Sequence, residues 1–304
     1  MTAAAAPAPR TVRLAFSPDA DDVFMFWPLL NGRVKIESDR SLSFVHERVE
    51  TESLNARASG DDPPDVCAVS IAHLSAIADR FQLLPHGGSV GRGYGPVVVA
   101  KRGGAVKAID DLAGKRVAVP GLRTTAYLVL RLLLDHSKKG ASFEPIAIPI
   151  TPFARVFEAL DAGEVDAALL IHEGRLTYED DPTLARVVEL GEAWLSMTGL
   201  PLPLGGNAIR SDLGPELIRV VSQACRASIA WSLAHRDEVI EALIAAGDRK
   251  DAGLSRARLD RYLAMYANDD TADYTAEVLE SIHDLLRRGH AAGLLPRPSI
   301  AIAP

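Results

Sequence analysis

His172 carries the clearest chemistry in this sequence. It follows the apolar run Val165-Asp166-Ala167-Ala168-Leu169-Leu170-Ile171 and opens a polar segment, which puts its imidazole at the C-terminal edge of a strand. An imidazole with an unperturbed pKa near ~6.5 exchanges protons at neutral pH, so the position suits a general base or a structural histidine at a strand end. Thr124 and Thr125 follow the turn Pro120-Gly121 and open a helix. Free N–H groups and hydroxyls at a helix mouth can hold an anion, or the threonines can serve as plain caps. Ser70 ends the run Val66–Ser70, where its hydroxyl can donate to a ligand or cap the next helix. Asp19, Asp21 and Asp22 stand at another helix mouth; Asp22 is the candidate for substrate hydroxyls, Asp19 and Asp21 for capping.

Other motifs are set aside on spacing. The three acids lack further ligands at EF-hand or similar intervals, so no metal is expected. Gly93-x-Gly95 lacks the helix-opening context of a phosphate loop and reads as a turn approaching a hinge. Cys67 and Cys225 lie far apart without CxxC spacing and read as buried structural thiols. Neighbours on a strand face opposite sides, so Glu173 is not expected to partner His172, and no Ser-His-Asp order can be defended. Trp27 and Trp231 fall in helical patterns and read as core, whereas Trp194 is placed nearer the cleft.

The elements that must position these residues alternate. Val12–Phe16, Ser43–His46, Val66–Ser70, Val97–Ala100, Arg116–Val119 and Val165–Ile171 read as strands. Helices are expected over Val23–Leu30, Ile71–Ala78, Ala126–Leu134, Phe153–Leu160, Glu216–Ala246 and Thr275–Ala292. This rhythm predicts an α/β protein with two doubly wound, mostly parallel lobes around a cleft. Residues 1–100 plus 205–304 form the first, discontinuous lobe, and 101–204 the inserted second one. In open α/β sheets, ligands bind where strand C-termini meet such a cleft.

Composition bounds the class. With 304 residues, 48% hydrophobic and 24% charged, the chain is too apolar for disorder and too charged for a membrane bundle. The net charge of −7 comes with no Lys/Arg stripe, so no nucleic-acid partner is expected. The Ala/Pro-rich opening lacks a charged n-region and an apolar core of ~7–15 residues, so a cytoplasmic location is expected. No run approaches the ~20 residues of a membrane span. Nothing in the sequence fixes the oligomeric state.

The stretches Arg116–Tyr127, Gly163–Ala167, Ile171–Tyr178 and Thr198–Gly205 resemble, in this order, the 1,4-dihydroxy-6-naphthoate synthase family of menaquinone biosynthesis. So do the opening Ser17-Pro18, Asp22 and Phe24 and the turn Gly93-x-Gly95-Pro96. The resemblance implies the periplasmic-binding-protein type II architecture and a lyase that needs no cofactor, acting on cyclic dehypoxanthinyl futalosine with His172 as general base. It implies a carboxylate-bearing small molecule as partner, and on that ground Thr124 and Thr125 are assigned to holding it. Two other readings share the fold: a non-catalytic receptor for a small carboxylate, and chorismate dehydratase. The stretch Ile171–Tyr178 favours the naphthoate enzyme over the latter.

Overall fold

A computed structural model describes residues 10–36, 42–152, 154–247 and 255–304. Most of the Ala/Pro tail and Phe153, the expected first residue of a helix, lie outside the described residues. The chain first lays down β1 (Arg10–Phe16), β2 (Leu42–Arg48), β3 (Val66–Ser70), β4 (Phe81–Leu83) and β5 (Ser89–Gly91). It continues with β6 (Val97–Lys101), β7 (Arg116–Val119), β8 (Glu144–Ala147), β9 (Ala167–Leu170) and β10 (Leu184–Glu189), and closes with β11 (Leu202–Arg210). These build two sheets. The first has the order β2-β1-β3-β11-β4 with β5 also on β11; the second runs β10-β6-β9-β7-β8.

Among the described strands, one in each sheet runs against the rest. β11 is antiparallel to β3, β4 and β5, and β6 is antiparallel to β9 and β10. The other strands share one direction, as βα crossovers require. β6 and β11 are the strands that enter their sheet from the other one. Each therefore starts at the cleft edge, where its antiparallel neighbours end.

The helices are α1 (Ala20–Leu30), α2 (Thr51–Ser59), α3 (Ile71–Ile77), α4 (Thr125–Ser137), α5 (Ala154–Asp161), α6 (Gly174–Thr177) and α7 (Leu190–Thr198). After β11 come α8 (Pro215–Ala234), α9 (Arg236–Ala246), α10 (Arg256–Tyr266), α11 (Asp269–Ala272) and α12 (Ala276–Ala291). The expected helix Glu216–Ala246 is two helices, because the backbone leaves helical geometry at His235. Ser255 and Thr275 accept from the N–H groups of Arg258 and Val278 and so fix the starts of α10 and α12. α10, which carries two tyrosines to the cleft, lies between Glu216–Ala246 and Thr275–Ala292, the two clearest pieces of the stretch after Gly206, all of which the sequence predicts to be helical.

Apolar strands buried on both faces, such as Val97–Ala100, form the core of each lobe. Phe16 stacks on Phe26 at 4.7 Å between centroids, joining β1 to α1. Trp194 does not approach the cleft: it is fully buried, and its indole N–H donates to the Pro201 carbonyl at 3.1 Å. An indole reaches burial when its one donor is satisfied, and the turn before β11 supplies the acceptor. Trp27 and Trp231 pack on each other half-buried at the rim of the core rather than inside it. Cys67 and Cys225 are buried free thiols, and burial raises both, Cys225 to about 12.

Where the chain crosses between sheets, backbones touch. A Cβ on Gly191 would fall 2.1 Å from the Tyr94 carbonyl oxygen, so only glycine lets α7 meet the Gly93-x-Gly95 turn. Arg175, itself buried, donates to the Gly95 carbonyl at 2.6 Å and to Glu189 at 2.8 Å, tying the second sheet to that turn. On the outer side, Arg92 holds Asp270 with two hydrogen bonds and Glu277 with a third.

Candidate active site

A cavity lies between the sheets. It forms where the end of β3, the mouths of α1 and α4, the turn after β9 and the last turns of α10 converge. Asp22, Ser70, Thr124, Thr125 and His172 all line it. Its side walls are apolar, with Leu54, Val69, Leu204 and Tyr266, and no Lys or Arg occurs among the lining residues described. The space thus suits a flat apolar body with polar groups at its ends.

His172 sits just beyond β9 with φ of +51°, the only positive φ among the described non-glycine residues. A bulky residue rarely adopts that region, and such backbone gathers at functional sites. Its Nε2 lies 3.0 Å from the Thr51 hydroxyl oxygen, at the start of α2. Its Nδ1 lies 3.2 Å from Asp19 Oδ2 and 3.5 Å from the Tyr262 hydroxyl. Hydroxyl, imidazole and carboxylate therefore stand in one row, brought together from three separate elements.

Asp19 departs from its expected role. It occupies the N-cap position of α1 but makes no side-chain cap bond, and its carboxylate turns to His172 instead. The acceptor for that helix mouth comes from Glu173, whose Oε1 takes the Ala20 N–H at 3.1 Å. Strand alternation predicted that Glu173 does not partner His172, and its carboxylate indeed addresses the α1 backbone. The positive φ at His172, however, ends the alternation, so both side chains reach the same helix mouth.

Asp21 is likewise more than a cap. It accepts from the Ser89 hydroxyl at 2.7 Å and the Tyr262 hydroxyl at 3.0 Å. Burial raises its carboxyl pKa, with His172 opposing and the Asp19 charge adding to the rise. Asp22 accepts the Ser17 N–H at 2.7 Å. Burial first, then the charge of Asp21, pushes its carboxyl well above the ordinary carboxylate range. Tyr262 is buried beside these acids, and its hydroxyl stays protonated as a donor.

Ser70 makes no cap bond to α3. Its N–H donates to Asn55 Oδ1 at 3.0 Å and its oxygen accepts from Asn55 Nδ2 at 3.1 Å, which leaves its hydroxyl proton available to the cavity. The two threonines spend their hydroxyl protons inside the protein. Thr124 donates to the Gly121 carbonyl at 2.8 Å and caps the Tyr127 N–H at 3.2 Å. Thr125 donates to the Leu204 carbonyl at 2.6 Å and accepts the Ala72 N–H at 3.1 Å. With the hydroxyls so used, what the first turn of α4 can still offer a ligand is backbone N–H groups, at the positive end of the helix dipole.

Thr51, Asp19 and Tyr262 were missed as functional residues. Thr51 and Tyr262 carry no local motif, while Asp19 was read as a cap because it does occupy the N-cap position of α1. Among the described residues, no group of three or more His, Cys, Asp and Glu side chains is arranged to hold a metal ion. No described helix is long and apolar enough to cross a membrane.

Comparison with known proteins gives this geometry a context. Residues 12–291 match the model of a family described as menaquinone biosynthesis. A 1,4-dihydroxy-6-naphthoate synthase of Thermus thermophilus is 38% identical over 290 residues, covering 94% of this chain and 98% of the relative. One from Streptomyces coelicolor is 35% identical, covering 94% and 95%. The alkanesulfonate-binding protein SsuA of Xanthomonas axonopodis pv. citri, solved with bound MOPS, superposes with a TM-score of 0.66 at 19% identity, covering 98% of each chain. That likeness shows the fold, two lobes of the periplasmic-binding-protein kind.

Proposed function

Because this chain belongs to the menaquinone biosynthesis family, we propose that it converts cyclic dehypoxanthinyl futalosine to 1,4-dihydroxy-6-naphthoate, as a carbon–carbon lyase with His172 as general base. The observation that carries this reading is the row Thr51–His172–Asp19 on the wall of an otherwise apolar cavity. Asp19 faces Nδ1 and stabilises the imidazolium that forms when the ring takes a proton, so Nε2 is the basic nitrogen. Nε2 removes a substrate hydroxyl proton, with the Thr51 hydroxyl giving way to that of the substrate. The oxygen becomes a carbonyl as the adjacent carbon–carbon bond breaks. The electron pair of that bond moves into the ring enolate, and aromatisation drives the outcome.

The substrate carboxylate lies at the mouth of α4, held by the N–H groups at Thr125 and Ala126 and by the Ser70 hydroxyl. Thr124 and Thr125 shape this mouth through their internal bonds. Asp22, whose raised carboxyl favours the protonated form, meets substrate hydroxyls at the opposite end. The lobes 1–100 plus 205–304 and 101–204 close over the substrate and exclude water. Support for that division is the chain's two crossings between sheets, after Gly91 and before Leu202.

The test is direct: purified protein is incubated with cyclic dehypoxanthinyl futalosine and 1,4-dihydroxy-6-naphthoate is sought by mass spectrometry. Product formation, lost in His172→Ala, supports the reading. Tight binding of a small carboxylate with no turnover would make the chain a receptor and end it.

A further inference from the structure

We propose that Glu173 is a positioning residue that sets Asp19 against the His172 base by seating the mouth of α1 across the cleft. This rests on the reading of His172 as the base. Glu173 is fully buried, and its Oε1 accepts the Ala20 N–H at 3.1 Å, from the opposite side of the cleft. A carboxylate at a helix N-terminus satisfies a donor that the helix leaves without an internal partner and suits the dipole. Asp19 holds the position from which a helix is ordinarily capped, yet its side chain makes no such bond. With Glu173 in that task, Asp19 is released for His172 Nδ1.

Two further features link the contacts. The φ of +51° at His172 points two consecutive residues at the same helix end, so the Glu173–Ala20 bond and the His172–Asp19 pair form together or not at all. The loop before α1 is braced on itself, with the Asp19 N–H donating to the Ser17 hydroxyl oxygen at 3.2 Å and the Ser17 N–H to Asp22. A shift of the helix mouth therefore carries Asp19 and Asp22 with it. Closing the cleft docks Glu173 and completes the catalytic row in one step.

Turnover of cyclic dehypoxanthinyl futalosine by the full-length chain tests this in Glu173→Ala, Glu173→Asp and Glu173→Gln, each also made in a His172→Ala background. Glu173→Ala and the shorter Glu173→Asp should lower kcat about 10–100-fold and raise KM by a clearly smaller factor through Asp22, as expected when a supporting group misplaces a catalytic one. Glu173→Gln keeps a carbonyl oxygen for the Ala20 N–H and should stay within about threefold of the parent. With His172 absent, Glu173→Ala should cost almost nothing more, because the two act as one unit. An unchanged kcat in Glu173→Ala, a loss in Glu173→Gln as large as in Glu173→Ala, or a full additive loss without His172 would each overturn the proposal. Should Glu173→Ala fail to fold, Glu173→Asp and Glu173→Gln decide between them. Full activity of His172→Ala would instead remove the base assignment and leave the Glu173 series to be read separately.

Discussion

Asp19 Oδ2 and His172 Nδ1 stand 3.2 Å apart, although one precedes α1 of the first sheet and the other follows β9 of the second. The carboxylate is fully buried and the imidazole mostly so, which limits screening by solvent. Removing the base in His172→Ala should lower kcat about 10²–10⁴-fold. Asp19→Asn, which keeps shape and loses charge, should lower it about 10–100-fold. Steady-state kinetics check both; a fully active Asp19→Asn would show that the pair does not serve catalysis.

Thr125 joins two backbone groups from separate elements, the Leu204 carbonyl and the Ala72 N–H. Thr125→Val removes both bonds, at a cost of about 1–3 kcal/mol for each group left unpaired. Calorimetry should therefore show a clear fall in Tm. The KM should rise less than in Ser70→Ala, whose hydroxyl proton faces the cavity. A Thr125→Val with unchanged Tm and a sharply raised KM would return the hydroxyl to direct ligand binding.

Burial and the charge of Asp21 push the Asp22 carboxyl well above the ordinary carboxylate range, which favours its neutral form. Asn matches that neutral form in shape and polarity, so Asp22→Asn should keep KM within about threefold, whereas Asp22→Ala should raise it about tenfold or more. Equal losses in the two variants would mean that the charged carboxylate is the working form.

His73 and His86 are buried, and burial lowers both from 6.5 to about 4. Between those values the unfolded chain takes up protons that the folded one refuses. Each histidine thus contributes stability that is fully present above pH 6.5 and is lost as pH falls toward 4, at most about 1.4 kcal/mol per pH unit. Asp21 and Asp22 act in the opposite sense, since their raised carboxyls favour the folded state as they protonate. Urea unfolding of parent and His86→Gln at pH 7.5 and pH 5 separates the two. The parent should lose more stability than the variant on acidification, and parallel losses would remove His86 from the acid response.

Gly191 has no room for a side chain against Tyr94. Gly191→Ala forces the hinge turn away from α7 and should cost about 1–3 kcal/mol, as overpacking does. Chemical denaturation reads the loss, and an unchanged midpoint would show that the turn yields freely.

Much of this protein was legible along the chain. Apolar runs of strand length alternating with amphipathic segments determine two wound lobes, because each pattern has only one way to bury its apolar atoms. Asp22, Ser70, Thr124, Thr125 and His172 were found from their places at element ends, and all line one cavity, because strand C-termini and helix mouths open onto the cleft. What each of them does there was decided by tertiary structure. The threonine hydroxyls turn inward because Gly121, Leu204 and Ala72 offer partners, which no local pattern reveals. Asp19 leaves its cap for His172 because Glu173 reaches over from the other lobe. Thr51 and Tyr262 enter the site from helices whose sequences carry no sign of it. Local sequence sets which backbone groups need partners. Which side chain answers depends on distances across the cleft, and those exist only once both lobes have folded together.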